Sequence, residues 1–388
     1  MKKRTLLLLS LICHLVVASP VFSANPESQL AGEFEAYFRK QVSEENIPGA
    51  AFVITRPDEF IKVGTFGHTD TSRKTRITAD TPFRVASVSK TFAAGLTGVL
   101  VKEGEFGWDD RVTVYVPDFR INGDASKVRI RDLLGQSTGL IPHAYDNLIE
   151  DGLSFDRIQK QFSKLDYICT PGQCYSYQNS IFSLIEPVME RTTDESYAQL
   201  MQSRIFEPLG MENASVGYEP LVNNPAYARP HVKSRGRWKT VKVKPNYYVV
   251  APAAGINASA SDMGKWLQAQ MGAYPEVLNG DTVETLTEPR VKTRRDMRRR
   301  YWRDMLSEAH YGLGWRIYTL GDESIAYHSG WVAGYRADVA WSEKYQVGIA
   351  VLMNVEDNTI SDVTTTFWKM AFDKLTPAGQ SVTAAAGR

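Results

Sequence analysis

The chain has 388 residues, 43% of them hydrophobic and 23% charged, with 28 Gly and 18 Pro. It is too apolar for a disordered protein and long enough to bury a core without metal or disulfide staples; the length suggests two domains, or one large fold carrying an insertion. With 45 Lys and Arg against 44 Asp and Glu, there is no basic excess to release phosphate counterions, which argues against nucleic acid as the main partner.

Lys2, Lys3 and Arg4 precede an almost wholly apolar run, residues 5–17, and small residues follow at Ser23 and Ala24. Basic start, short apolar stretch and small residues at the cut are the layout of a secretory signal over residues 1–23, with an uncleaved anchor as the alternative. The run is short for a bilayer, and no later stretch of 18 or more apolar residues occurs, so no transmembrane span is expected after cleavage. Cys13 follows the bulky Ile12 in mid-run, which speaks against lipid attachment. Cleavage leaves 42 basic and 44 acidic residues. The expected location is the periplasm.

Residues 49–67 alternate β-branched or aromatic residues with turn formers and predict a hairpin. Over residues 89–102, Phe92, Leu96, Leu100 and Val101 recur at helical spacing, and Gly104 stops the run. Residues 109–247 are mainly helical segments and turns, such as 153–162 and 181–191. Three strands follow at 324–327, 336–341 and 347–353, then a closing helix at 360–375. This pattern predicts an α/β (α+β) fold: an antiparallel sheet built from the N- and C-terminal segments, flanked by helices, with a mainly helical insertion. The sheet region covers about 25–100 and 250–375, the insertion about 105–247, and 376–388 is a small, polar, flexible tail.

Once Cys13 leaves with the signal, Cys169 and Cys174 remain, with four residues between them around a Pro-Gly turn. In an oxidising compartment they read as a disulfide, with two free thiols as the alternative. So short a loop stabilises by only about 2 kcal/mol, so its use is local, next to Tyr175–Asn179. Residues 290–303 hold eight basic side chains (Arg290, Lys292, Arg294, Arg295, Arg298, Arg299, Arg300 and Arg303) around one acid, Asp296. They read as a solvated connector or as a contact for an anionic envelope surface, which salt would weaken. No partner chain is called for, and a monomer is expected.

Six histidines are scattered, none in a His-Glu-x-x-His pattern, and neither a paired Cys-x-x-Cys set nor a phosphate or dinucleotide fingerprint is present. No metal or cofactor is expected, which leaves hydroxyl chemistry. Ser137 lies in Gly-Gln-Ser-Thr-Gly at 135–139, the form of a nucleophile elbow, which needs a strand before the serine and a helix after it. The preceding residues 128–134 carry three charges and read as a short amphipathic helix, and a loop follows, so the context fails. Ser87 lies in Ser-Val-Ser-Lys at 87–90, the only Ser-x-x-Lys of the chain. Three residues apart on a helix, Lys90 can reach the Ser87 hydroxyl, and it can act as a base if burial or a nearby cation lowers its pKa.

Two further groups of residues sharpen this reading. Tyr-Gln-Asn stands at 177–179 and His-Ser-Gly at 328–330. Together with Ser87 and Lys90 the set resembles the penicillin-recognising serine hydrolases, in particular the class C β-lactamase and D-alanyl-D-alanine carboxypeptidase branch. Its signatures Ser-x-x-Lys, Tyr-x-Asn and Lys/His-x-Gly come in this order. Connecting segments such as Tyr-Gly-Leu-Gly-Trp at 311–315 and Glu-Pro-Leu-Gly-Met at 207–211 extend the likeness over residues 25–375.

The resemblance implies that Ser87 attacks a carbonyl and forms an acyl-enzyme, that Lys90 and Tyr177 move its proton, and that Asn179 holds Lys90 and the substrate amide. The backbone N–H groups of Ser87 and Trp331 would form the oxyanion hole, beside His328, Ser329 and Gly330. Most β-lactamases of this group have Lys-Thr-Gly where this chain has His-Ser-Gly. A mostly neutral histidine is expected to hold anionic β-lactams less tightly, and to lose any contact with a substrate carboxylate as pH rises through its pKa. The expected function is an exported serine hydrolase acting on β-lactams or on D-alanyl, peptidoglycan-derived peptides. The alternatives are a promiscuous carboxylesterase with the same residues, or a catalytically silent envelope-binding protein.

Overall fold

The computed structural model describes residues 25–72 and 74–379; the expected signal at 1–23 and residues 380–388 of the expected tail lie outside the described residues. The chain begins in α1 (Pro26–Glu44), where the Asn25 side chain accepts from the Glu27 N–H and Pro26 occupies the first turn. Its apolar stripe of Leu30, Phe34, Phe38 and Val42 is buried, a helix that the sequence reading above does not contain. The expected hairpin follows as β1 (Gly49–Thr55) and β2 (Phe60–Gly67), paired antiparallel. The expected helix is α2 (Ser89–Glu103), and Gly104 ends it in the left-handed conformation, φ 86°.

Six more strands complete the main sheet: β3 (Val291–Lys292), β4 (Glu308–Tyr311), β5 (Arg316–Leu320), β6 (Glu323–Val332), β7 (Tyr335–Ser342) and β8 (Val347–Met353). Their order is β2-β1-β8-β7-β6-β5-β4-β3, and every pairing is antiparallel. The N-terminal hairpin thus sits beside the last strand, which builds one sheet from both ends of the chain. Of these strands, β6, β7 and β8 match the expectation, β6 running longer than expected, whereas β4 and β5 were not anticipated. The closing helix is α5 (Thr359–Lys374), preceded by α3 (Ile185–Thr193) and α4 (Ala260–Gln270).

Both faces of the sheet are covered, and the period-2 pattern of the central strands decides which side chain goes where. Ala50, Phe52 and Ile54 of β1, with Ile349 and Val351 of β8, join one core under α1 and α5. There Phe34 stands edge-on to Phe52 at 5.0 Å and to Phe367 at 5.3 Å. The intervening Ala51, Val53, Ala350 and Leu352 join the other core, under α2 and α4, where Phe92 stacks on Trp266 at 4.3 Å. Burial of α2 by this core is what brings its N-terminus, and with it Ser87, against the middle of the sheet. Residues 105–247 carry mainly short helices, joined by a small hairpin at His231–Ser234 and Arg237–Thr240 and by the strand Ser215–Val216.

Candidate active site

Ser87 lies in a single helical turn, Ala86–Val88, that leads into α2. Ala86 adopts a left-handed backbone, φ 51°, a conformation that a residue with a Cβ takes only when its surroundings impose it. The imposing neighbour is β6. Gly330 approaches so closely that a Cβ there would collide with the Val85 carbonyl oxygen. β5 pairs with β6 only as far as Tyr327, so from His328 onward that edge of β6 is free and borders the nucleophile turn.

Lys90, one turn along, is fully buried, with Nζ 3.5 Å from Ser87 Oγ. It also donates to Asn179 Oδ1 at 2.7 Å and to the Ala253 carbonyl at 3.0 Å, so three acceptors match its three protons. Burial pushes the Lys90 pKa down, with help from Arg316 and against the pull of Tyr177 and Asp146. Tyr177 stands over this amine, its ring centroid 4.7 Å from Nζ and 5.3 Å from the Arg316 guanidinium. Burial alone would raise the phenol, but Lys90 and Arg316 outweigh it and hold Tyr177 below its ordinary value. An amine and a phenol, both lowered, beside a hydroxyl can pass one proton among themselves near neutral pH.

The segment carrying Tyr177 is clamped by the loop at 135–139. Gln136 Nε2 donates to the Gln178 carbonyl at 3.0 Å, and the Gln178 N–H returns a bond to Gln136 Oε1 at 2.7 Å. Ser137 accepts the Gly172 N–H through its carbonyl, and Gly139, at φ 77°, leaves no room for a Cβ beside Cys169. The Gly-x-Ser-x-Gly motif is therefore a brace for the Tyr-Gln-Asn segment, and Cys169 and Cys174 are joined in a disulfide on its far side. Asn179 is oriented from both ends. Its oxygen faces Lys90, and its Nδ2 donates to both Asp146 oxygens at 3.2 and 3.0 Å, while His143 Nδ1 meets the same carboxylate at 2.9 Å.

His328 is placed otherwise than expected. It is wholly buried, its Nε2 3.1 Å from Tyr311 Oη and 3.4 Å from Arg316 Nη1, its Nδ1 3.0 Å from the Ser329 carbonyl. Because a guanidinium only donates, Nε2 must accept, which assigns the proton to Nδ1. Burial first, then Arg316 and Lys90, drive its pKa well below the usual histidine value, which favours the neutral ring. Burial leaves the ring itself outside the cleft lining, where the sequence reading looked for a contact with a substrate carboxylate. Successive strand residues face opposite ways, and the position open to the cleft is Ser329, whose Oγ accepts from Arg299 Nη2 at 3.1 Å. Two guanidiniums, Arg299 and Arg316, thus stand where only a neutral ring was expected. They share the buried Asp296, at 3.9 and 3.1 Å, the closer pair too bent for a hydrogen bond.

Trp331 is 64% exposed, with its Nε1 donating to Glu356 at 2.8 Å. It borders, with Ser87, Tyr177, Asn179 and Ser329, a cleft of about 900 Å³. Gly330 lies at the nucleophile turn, while His328 contacts the cleft only through its neighbours. Among the described residues no group of three or more His, Cys, Asp or Glu is placed to hold a metal ion, and no helix is long and apolar enough to cross a membrane.

The Beta-lactamase family profile matches residues 34–367. The chain belongs to the beta-lactamase family. Among curated proteins it is similar to Protein flp of Staphylococcus aureus (strain MW2), 22% identical over 84% of this chain and 64% of that protein. It is also similar to Unguisins hydrolase ungD of Aspergillus violaceofuscus, 24% identical over 90% of this chain and 66% of that protein. The chain therefore spans less than two thirds of the length of these relatives. Among solved structures, the octameric penicillin-binding protein homologue from Pyrococcus abyssi superposes with a TM-score of 0.78 at 22% identity, over 88% of this chain and 77% of that one. The crystal structure of SurE gives a TM-score of 0.71 at 21% identity, over 90% and 76%. These likenesses agree with the penicillin-recognising family fold expected from the three motifs.

Within this beta-lactamase fold, the sequence reading missed Asp146, Arg299 and Arg316. Arg316 directly follows the Tyr-Gly-Leu-Gly-Trp segment, so a signal lay one residue beyond the motif. Arg299 was hidden among seven like charges. The stretch at 290–303 is not a detached connector: Asp296 and Trp302 are buried, and Arg295, Arg298 and Arg299 line the cleft.

Proposed function

We propose that the protein is an exported serine hydrolase that opens a β-lactam, or a D-alanyl amide or ester, through an acyl-enzyme on Ser87. The observation that carries this reading is the convergence of Ser87, Lys90, Tyr177 and Asn179 at one cleft wall. Tyr177, held ionisable by Lys90 and Arg316, accepts the Ser87 proton, directly or through Lys90, as Oγ attacks the carbonyl carbon. The oxyanion rests on the backbone N–H groups of Ser87 and Trp331, each worth roughly 3–4 kcal/mol in the transition state. As the tetrahedral adduct collapses, the same proton passes to the leaving nitrogen or oxygen. A water molecule then gives a proton to Tyr177 and attacks the ester carbonyl, and Tyr177 passes that proton to the departing Ser87 Oγ as the acid product leaves. Export rests on the basic and apolar pattern of residues 1–23.

A second reading, a carboxylesterase working through the same groups, is favoured by the room of the cleft. Intact-mass analysis after incubation with a fluorescent penicillin or a fluorophosphonate tests both. One adduct, absent in Ser87→Ala, is expected. No adduct, or an adduct that survives Ser87→Ala, refutes the mechanism and leaves the silent envelope-binding reading. Side-by-side turnover of nitrocefin and p-nitrophenyl butyrate then separates the β-lactam from the ester reading.

A further inference from the structure

The wall of the cleft is unevenly charged. Arg84, Lys244, Arg295, Arg298 and Arg336 line it with no carboxylate in ion-pair reach among the described residues. The four carboxylates on the same wall are already engaged. Asp296 is held by Arg299 and Arg316, Asp146 by His143 and Asn179, Glu150 by Tyr247, and Glu356 by Trp331 and the Gly334 N–H.

The basic segment at 290–303 divides along the same line. Arg290 pairs with Glu288, Lys292 with Glu308 and Arg303 with Asp304. Arg294, Arg295, Arg298 and Arg300 are exposed and meet no carboxylate in ion-pair reach among the described residues; of these four, Arg295 and Arg298 line the cleft, flanking the buried Asp296. They are neighbours in sequence of Arg299, which bonds Ser329 at the free edge of β6. Like charges on one wall repel one another, and an anionic ligand relieves that repulsion.

We propose that Arg295 and Arg298 form a second anion subsite at the cleft mouth, beyond the group that meets Ser329 and Arg299. The preferred substrate then carries two carboxylates in the part that lies over Ser329. The inference rests on the hydrolase reading for turnover, but binding at the subsite can be read without it.

The test uses hippurate esters of phenol, 3-hydroxybenzoate and 5-hydroxyisophthalate, which share one scissile bond and add zero, one and two carboxylates to the leaving group. Rates are divided by the spontaneous hydrolysis of each ester. Normalised kcat/KM should rise about tenfold with each carboxylate and flatten in roughly 0.5 M salt. In the double variant Arg295→Gln/Arg298→Gln the second increment should collapse, so that dianion and monoanion run alike. A flat charge series, or a second increment that survives the double variant, overturns the proposal. If no ester is turned over, the hydrolase reading fails separately, and calorimetric titration with 5-hydroxyisophthalate and 3-hydroxybenzoate decides. Tighter binding of the dianion, lost in the double variant, supports the subsite; equal binding refutes it. Salt-sensitive binding to lipopolysaccharide vesicles together with a flat ester series would assign the arginines to a surface contact instead, and that too overturns the proposal.

Discussion

Arg316 is the residue through which the electrostatics of the cleft can be tested most directly. Its guanidinium stands 5.3 Å from the Tyr177 ring centroid, and Arg316→Met removes the charge while keeping much of the side-chain volume. Two unit charges about 5 Å apart interact by about 3 kcal/mol at an effective dielectric constant near 20, a factor of about a hundred in an ionisation equilibrium. Lys90, 4.7 Å from the same ring, stays in place, so the phenol's pKa rises and its ionisation weakens by about ten- to hundredfold. If ionised Tyr177 takes the Ser87 proton, the acid limb of the kcat/KM profile for a neutral ester should move up with that pKa. Activity at pH 7 should fall about ten- to hundredfold and recover towards pH 9.

The substitution has a second consequence that needs separating. It leaves the buried Asp296 with only Arg299 at 3.9 Å, and losing one partner of a buried pair costs about 3–5 kcal/mol. Arg316→Met/Asp296→Asn removes that burden, so its melting temperature should recover while the pH profile stays displaced. A double variant whose profile overlays the wild type would refute the role given to Arg316, whatever the stability of the single variant.

Other consequences follow from the same geometry. Gly330→Ala should lower kcat/KM about a hundredfold or more on every substrate, because a methyl against the Val85 carbonyl pushes β6 away from Ser87 and displaces an oxyanion donor; steady-state kinetics on the folded variant, checked by circular dichroism, read this. Asp338 is buried beside Tyr327 and Thr364, and desolvation raises its pKa to about 6. A carboxyl raised in the folded state keeps its proton longer than the unfolded chain does, so it costs stability as pH climbs from about 4 to 6, by about 3 kcal/mol in all. Asp338→Asn should therefore be more stable than wild type above pH 6 and lose that slope; urea titrations at pH 4.5 and 7 that move in parallel would count against it. A thiol count on the native mature protein should find none, and Cys169→Ser should cost about 2 kcal/mol or less in thermal unfolding while loosening the loop beside Tyr175.

The strands at 49–55 and 347–353 were readable as apolar runs because a central strand buries side chains in both cores. The stripe of residues 89–102 was readable because α2 lies on one of them. Ser87 and Lys90 were legible for the same local reason, three residues apart on one helix. Tyr177, Asn179 and His328 could be picked out only as members of a motif set, since nothing local distinguishes a phenol or an amide in a loop. α1 escaped although its stripe of Leu30, Phe34, Phe38 and Val42 keeps helical spacing, and β4 and β5 are only four and five residues long, too short for a pattern to stand out.

What the sequence by itself determined is what short-range geometry dictates: the hairpin, the nucleophile helix, the closing strands and the order of the three motifs. Only the tertiary structure decided which charges meet. The β5–β6 register sets Arg316 beside His328 and beneath Tyr177, the fold brings Asp146 to the far end of Asn179, and a basic run becomes one wall of the cleft. The reason is that a charge is indifferent to its neighbours in the chain. Its effect depends on distance and on the water excluded between partners, and both are properties of the folded molecule.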